Sequence, residues 1–299
     1  MVSMAPSKLR SELRELARVR RERRAARLEE KGVVRARREQ YAARREALEA
    51  ALPYLASVRA PSMPSSRVLQ RELKVATYNV HRWQGQGGVR APDPARAGFV
   101  ISELDADVVA LQEVLRPFGE EDPLERLAEA LHLHLAFVTT RVHRRGEVGN
   151  AILSRWPITS VFSLDLSFSR VEKRSAVAVQ FTGQAGALAI VATHLALVDR
   201  TRRLQVESIL SHPQLQGAVL LAGDLNAWRR CEATRTLERE LVGHQPFVWP
   251  RSFPAARPVL ALDRIYARGA ELTEVAAHDT AAARRASDHL PVVAQVRIQ

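Results

Sequence analysis

The chain has 299 residues, 46% hydrophobic and 26% charged, and carries a net charge of +12. That length allows one large domain or two ordinary ones, and the apolar share excludes a wholly disordered chain. The single cysteine, Cys231, excludes a disulfide framework and a cysteine-based zinc cluster, and no disulfide-linked partner is expected.

The positive balance favours an anionic partner: nucleic acid, an acidic membrane surface or a phosphorylated substrate. It is unevenly spread, because residues 1–55 hold 15 Lys/Arg against 8 Asp/Glu. Residues 7–55 consist almost entirely of helix formers, with Leu9, Leu13, Leu16 and Val19 at helical spacing and charges of both signs interleaved. A basic helical arm over 1–59 is expected, interrupted at Gly32. It reads as a solvated helix or short coiled coil, or else as an element that docks on nucleic acid or on an anionic membrane. The segment is too charged for a signal peptide or a membrane span, so a cytoplasmic location is expected. The Pro/Ser-rich stretch "APSMPSS" at 60–66 reads as a linker, with one domain from 67 to 299.

Within that domain, apolar strand-like runs fall at 73–79, 107–113, 135–140, 149–154, 175–181, 188–194, 218–224, 262–267 and 291–298. Helical stretches are expected at 94–104, with Asp93 as cap and Pro94 in the first turn, and near 124–133, 199–211 and 229–241. The pattern predicts a mixed α/β domain in which two packed sheets are covered by helices.

The runs share a way of ending. "LKVATYN" delivers Asn79, "VVALQE" Glu113, "LAIVATH" His194, and "VLLAGDLN" both Asp224 and Asn226. Asp263 opens "DRIYA", and Asp288 and His289 precede the last strand. Such ends would gather polar groups along one rim of a rigid scaffold, where chemistry tends to sit. Taken alone, Asp224 and Asn226 read equally as a strand-closing turn and a helix cap. Carboxylates and carboxamides without cysteine are hard oxygen donors suited to Mg²⁺ or Mn²⁺. Histidine beside carboxylate suits a general base or a hydrogen-bond donor of fixed tautomer. Together these are the parts for hydrolysing a phosphate ester.

Taken in order, "TYNVH", "LQEV", "GNAILSRWPI", "ATHLAL", "AGDLNA", "SFP", "LDRIYA" and "SDHLPV" resemble the endonuclease/exonuclease/phosphatase superfamily. Its branches include pancreatic-type deoxyribonucleases, exonuclease III-like abasic endonucleases, neutral sphingomyelinases and inositol polyphosphate 5-phosphatases. The resemblance runs from about Lys74 to Val293 and implies a four-layer α/β sandwich. It implies Glu113 as principal Mg²⁺ ligand with Asn79 beside it and Asp288 completing the shell. Asp224 would orient or deprotonate the attacking water, with Asn226 holding the water or a phosphate oxygen. His289, held by Asp263, would act as base or phosphate donor, and His194 would contact phosphate or protonate the leaving oxygen. His81 and Arg174 are similar to phosphate-contacting positions of a bacterial subgroup. The resemblance implies a metal-dependent phosphodiester hydrolase, with a nuclease as first reading. A sphingomyelinase-like or other small phosphodiesterase, a phosphatase and a catalytically inactive binding module remain as alternatives.

Overall fold

The computed structural model describes residues 6–51, 56–65, 67–88, 92–119, 121–168, 172–183, 186–242 and 248–299. The chain divides into two compact units, residues 1–50 and 51–299. In the first, α1 (Pro6–Ala51) is one helix of 46 residues that runs through Gly32. The expected interruption does not occur, because a lone glycine costs only about 1 kcal/mol in a helix whose neighbours are strong formers. Pairs such as Arg35–Glu39 and Arg45–Glu49, at 2.9 and 2.8 Å, add support one turn apart. No helix among the described residues is long and apolar enough to cross a membrane.

The second unit runs through β1 (Ala56–Arg59), β2 (Glu72–Asn79), α2 (Pro94–Leu104), β3 (Val108–Pro117), α3 (Pro123–Ala130), β4 (His134–His143) and β5 (Gly146–Ser154). It continues through β6 (Ser160–Asp165), β7 (Ser175–Gly183), β8 (Gly186–His194), α4 (Asp199–Leu210) and β9 (Val219–Asp224). The last elements are α5 (Glu232–Leu237), β10 (Asp263–Arg268), β11 (Ala270–Ala277), α6 (Ala281–Ala286) and β12 (Val292–Ile298). One sheet has the order β1-β4-β5-β3-β2-β12-β11, the other β10-β9-β8-β7-β6. Each mixes parallel and antiparallel pairs, with β2 parallel to β3 and β8 parallel to β9.

Three apolar layers separate four layers of structure. Val75, Ala110, Ile152, Val179, Ile190 and Ala222 fill the space between the sheets. Tyr78, Leu111 and Phe137 face outward onto α2 and α3, while Val191, Leu221 and Tyr266 face the opposite way onto α4 and α5. Both faces of the central strands are therefore covered, which is why they read as nearly continuous apolar runs. As expected, Pro94 starts α2, and the Asp93 side chain accepts from Ala95 N.

The strands absent from the sequence reading, β1, β6 and β11, all lie at sheet edges. An edge strand is covered less and carries more polar side chains, so no apolar run announces it. This shifts the boundary between arm and domain. Residues 56–59, assigned above to the arm, pair with β4 from Ala56↔Val138 to Arg59↔Leu135 and belong to the sheet. The stretch read as a linker is also tied down, with Ser62 N donating to both carboxylate oxygens of Glu129 on α3.

Candidate active site

The end of the sandwich is built by register. His194 at the end of β8 lies opposite Asp224 at the end of β9, and Asp224 lies opposite Asp263 at the start of β10. Ile190, Ala192, Leu220, Ala222 and Ile265 all belong to the core between the sheets. Residues two apart on a strand share a face, so His194, Asp224 and Asp263 continue that face as a single row. Asn79 does the same from the other sheet, two and four residues beyond Thr77 and Val75. Gly223 keeps the row tight, since a Cβ there would strike the Thr193 carbonyl oxygen of β8.

Glu113 arrives by a different route. Simple alternation would aim it outward with Leu111, but β3 carries a bulge: Leu111 pairs with Ala151 and Val114 with Gly149. Glu113 is the extra residue, in the left-handed region at φ 54°. The bulge re-aims the side chain, and His194 Nδ1 lies 4.0 Å from Glu113 Oε1.

Asp224, 1% exposed, is the hub. Its Oδ2 accepts from Asn79 Nδ2 at 3.1 Å, and its Oδ1 accepts from Asn226 N at 2.9 Å. His194 Nε2 and His289 Nε2 approach Asp224 Oδ2 to 3.4 and 3.7 Å. Asn226, itself at φ 51°, places Nδ2 3.0 Å from His194 Nε2 and donates to Leu195 O at 2.9 Å. Behind the hub, Asp263 Oδ2 meets His289 Nδ1 at 2.8 Å and accepts from Ser252 Oγ at 2.6 Å. Ser287 Oγ donates to Asn79 O at 2.6 Å and accepts from His289 N at 3.2 Å, joining "SDH" to the end of β2.

The two buried histidines take opposite charge states. Burial lowers the His194 pKa to about 3, with the Arg174 charge adding to the effect and Asp224 opposing it. A neutral ring whose Nε2 accepts from Asn226 carries its proton on Nδ1; this tautomer is assigned from the hydrogen-bond network. For His289 burial acts in the same direction, but Asp263 and Asp224 outweigh it and raise the pKa to about 10. At neutral pH His289 is therefore a charged donor.

On the other side of the hub the groups are more open. Arg82 Nε lies 3.2 Å from Glu113 Oε2 in an ion pair that lacks hydrogen-bond alignment. His81 Nδ1 lies 3.3 Å from Asp288 Oδ1 and 3.1 Å from Gly85 O. His81, Arg82 and Trp83 are consecutive residues with positive φ, a costly conformation outside glycine. Arg174 is turned onto Glu172, at 2.6 Å from Nη2. Thr140 Oγ1 and Ser175 Oγ, 2.6 Å apart, bring neighbouring Arg141 and Arg174 to the same margin. Burial lowers the Arg141 pKa, Glu113 counteracts this, and Arg82 and Arg174 add to it. Arg141, Arg144 and Arg145, at and beside the β4–β5 turn, make no side-chain ion pair among the described residues.

Two groupings could hold a cation. Asp224, Asp263 and His289 place ligand atoms within 4.8 Å of one another. The charged His289 ring and the two bonds already made to Asp263 Oδ2 fit a proton-holding relay better than a metal seat. Asn79, Glu113 and Asp288 are hard oxygen donors suited to Mg²⁺ or Mn²⁺. Glu113 Oε2 is buried without a hydrogen bond, and an oxygen in that state suits a cation.

All the site residues expected from sequence meet at this end of the sandwich, with Arg174 at its margin. Sequence reasoning missed Ser252, Ser287, Arg82 and Arg141. The two serines stand inside quoted motifs, and Arg82 directly follows His81, but only the fold reveals their partners. Glu147, just before "GNAIL", lies apart from this cluster. It is buried in β5, accepting from Thr139 Oγ1 and lying 3.7 Å from Arg116. His244 lies outside the described residues.

Comparison with known proteins agrees with this fold. The uncharacterized protein YbhP of Escherichia coli strain K12 is 30% identical over 260 residues, an alignment covering 77% of this chain and 98% of YbhP. An endonuclease/exonuclease/phosphatase structure from Beutenbergia cavernae superposes with a TM-score of 0.61 at 24% identity, covering 77% of this chain and 72% of the other. D. rerio TDP2 complexed with single strand DNA product superposes at 0.55 with 18% identity, over 76% of this chain and 100% of the other. The family model described as "Endonuclease/Exonuclease/phosphatase family" matches residues 92–289, more than half of the sequence, and the chain belongs to that family.

Proposed function

We propose that this chain is a divalent-cation-dependent phosphodiester hydrolase acting on a polynucleotide, with a reducing cytoplasm as its setting. The observation carrying this reading is the convergence of Asn79, Asn226, His194 and His289 on one buried carboxylate, Asp224.

Asn79, Glu113 and Asp288 would hold the ion, whose charge neutralises phosphoryl oxygens. Asp224 accepts the proton of the attacking water and orients its lone pair in line with the scissile P–O bond. One P–O bond forms as the opposite one breaks, and the departing oxygen takes up a proton from the medium. His289, kept charged by Asp263, donates from Nε2 to the oxygens on which negative charge accumulates. Asn226, whose two Nδ2 hydrogens go to His194 and Leu195, keeps Oδ1 to accept from the attacking water. His194, kept neutral by burial, serves as a donor through Nδ1 and not as an acid at neutral pH.

The polynucleotide is supported by Arg141, Arg144 and Arg145, whose charges are free to meet phosphates. The structurally similar D. rerio TDP2, complexed with a single strand DNA product, is in keeping with it. The test is hydrolysis of bis-p-nitrophenyl phosphate with Mg²⁺ and with EDTA, followed by plasmid nicking beside sphingomyelin and phosphomonoester hydrolysis. Metal-dependent diester turnover that disappears in Asp224→Ala and His289→Ala is expected. A wild-type chain inert on every phosphodiester would make the fold a binding module, and turnover of lipid alone would remove the polynucleotide.

A further inference from the structure

The loops that leave the reaction centre after β8 and β9 run together into a second feature. Asn226 Nδ2 donates to Leu195 O, and each loop then continues by a few residues to the molecular surface. The β9 loop exposes Trp228 by 59% and the β8 loop exposes Leu197 by 66%. Trp228 is only two residues past Asn226, so their Cα atoms are within about 7 Å. Neither loop hangs free. Arg264 Nη2 donates to Ala227 O at 2.8 Å, and the fully buried Arg202 donates through Nη1 to Ala196 O and Leu197 O at 2.9 and 2.7 Å. An exposed tryptophan on a fixed backbone is an unusual use of so much apolar surface.

Beside it lies a cavity of about 490 Å³, lined by Arg200, Arg203, Arg229, Arg230 and Arg235. Two carboxylates, Asp199 and Glu232, share the lining, so the excess is positive. Arg229 stacks its guanidinium 4.9 Å from the Trp228 ring centroid and reaches Asp199 at 3.2 Å. Arg230 is held by Glu238 at 2.9 Å, whereas Arg200 and Arg235 have no ion-pair partner among the described residues. A flat aromatic face beside unneutralised guanidiniums in a concave site is the chemistry that binds a base and its flanking phosphates. A membrane surface would call for a broad apolar wedge, whereas Trp228, Leu197 and Val198 border a pocket with a charged lining.

We infer that Trp228 and this arginine-lined cavity form a subsite for a single-stranded segment of the substrate, one base stacking on the indole and the adjoining phosphates resting on Arg200 and Arg235. The assignment rests on the polynucleotide reading above and narrows it to a strand with an unpaired base next to the cleaved bond.

The experiment is equilibrium binding of a short fluorescein-labelled oligothymidylate to the full chain in EDTA, read by anisotropy and by tryptophan emission. Trp83 and Trp156 are buried and Trp249 packs on Tyr266 at 4.8 Å, so quenching on binding reports chiefly on Trp228. The wild type should show quenching. In Trp228→Ala that quenching should vanish and Kd should rise by roughly tenfold. Arg200→Ala combined with Arg235→Ala should lower the slope of log K against log salt by about 1.4. An unquenched wild type, or a Trp228→Ala chain with unchanged Kd, overturns the subsite. So does a Trp228→Ala chain that loses co-sedimentation with phosphatidylglycerol vesicles while keeping its oligothymidylate affinity, which would assign the surface to lipid. Oligothymidylate binding through Trp228 by a chain that hydrolyses no diester would sink the hydrolase reading and leave the subsite standing. Hydrolysis of bis-p-nitrophenyl phosphate without oligothymidylate binding would do the reverse.

Discussion

The two sheets contribute unlike halves to one site. The five-stranded sheet supplies His194, Asp224 and Asp263 as strand-end residues in register, with side-chain exposures of 9%, 2% and 0%. The seven-stranded sheet supplies Glu113 through a bulge and Asp288 through a loop, at 23% and 26%. The first half is hydrogen-bonded through its own Ser252 and Asn226 and closed by His289 and Asn79 from the other sheet, while the second keeps a buried Glu113 oxygen without a donor and faces it with Arg82. The contrast teaches a division of labour. One half is complete as folded and holds protons, and the other is left open for charge that comes from outside.

Substitutions can break or sharpen that division. The largest effect is expected for Asp224→Asn, which keeps the shape of the closed half but removes its base. Diester turnover should fall by about a thousandfold or more, with an unchanged fold checked by circular dichroism. Next, Glu113→Gln strikes the open half. Apparent Mg²⁺ affinity from activation curves, and Mn²⁺ affinity from calorimetry, should weaken by about 10- to 100-fold, with thermal stability nearly intact. If Asp224→Asn and Glu113→Gln instead weakened metal binding equally, the two halves would be one.

Ser252→Ala tests the closed half from behind. It removes the hydroxyl that donates to buried Asp263 Oδ2, and unfolding free energy in denaturant should drop by about 1–3 kcal/mol. The smallest change is expected for Arg82→Ala. Its pair with Glu113 is partly solvated, so removing the competing cation should tighten Mn²⁺ binding by only about two- to fivefold. Weaker binding in that variant would show that Arg82 supports the metal seat and does not compete for it.

The closed half was the more legible in sequence, for a physical reason. Strands covered on both faces must be apolar, so a carboxylate or imidazole at the end of such a run stands out, as His194 and Asp224 do. Glu113 was legible as a residue but not as a geometry, because alternation along β3 would aim it away from the site and only the bulge turns it back. Ser252, Ser287 and Arg82 escaped because Asp263, Asn79 and Glu113, the partners that tie them to the site, lie 11 residues away or more, with no periodicity to read. The edge strands β1, β6 and β11 escaped because water on one side removes the apolar run, and with β1 went the boundary of the arm.

The row formed by His194, Asp224 and Asp263 has a consequence for how such a site can change over time. Adjacent strands in a sheet are spaced by about 4.8 Å, so the distance between these three tips is ruled by the backbone ladder and not by the side chains around them. The surrounding loops can lengthen, shorten or exchange their residues to suit a new substrate while the ruler keeps its divisions. A residue inserted within β9, by contrast, would turn Asp224 to the opposite face of the sheet and erase the centre in a single step.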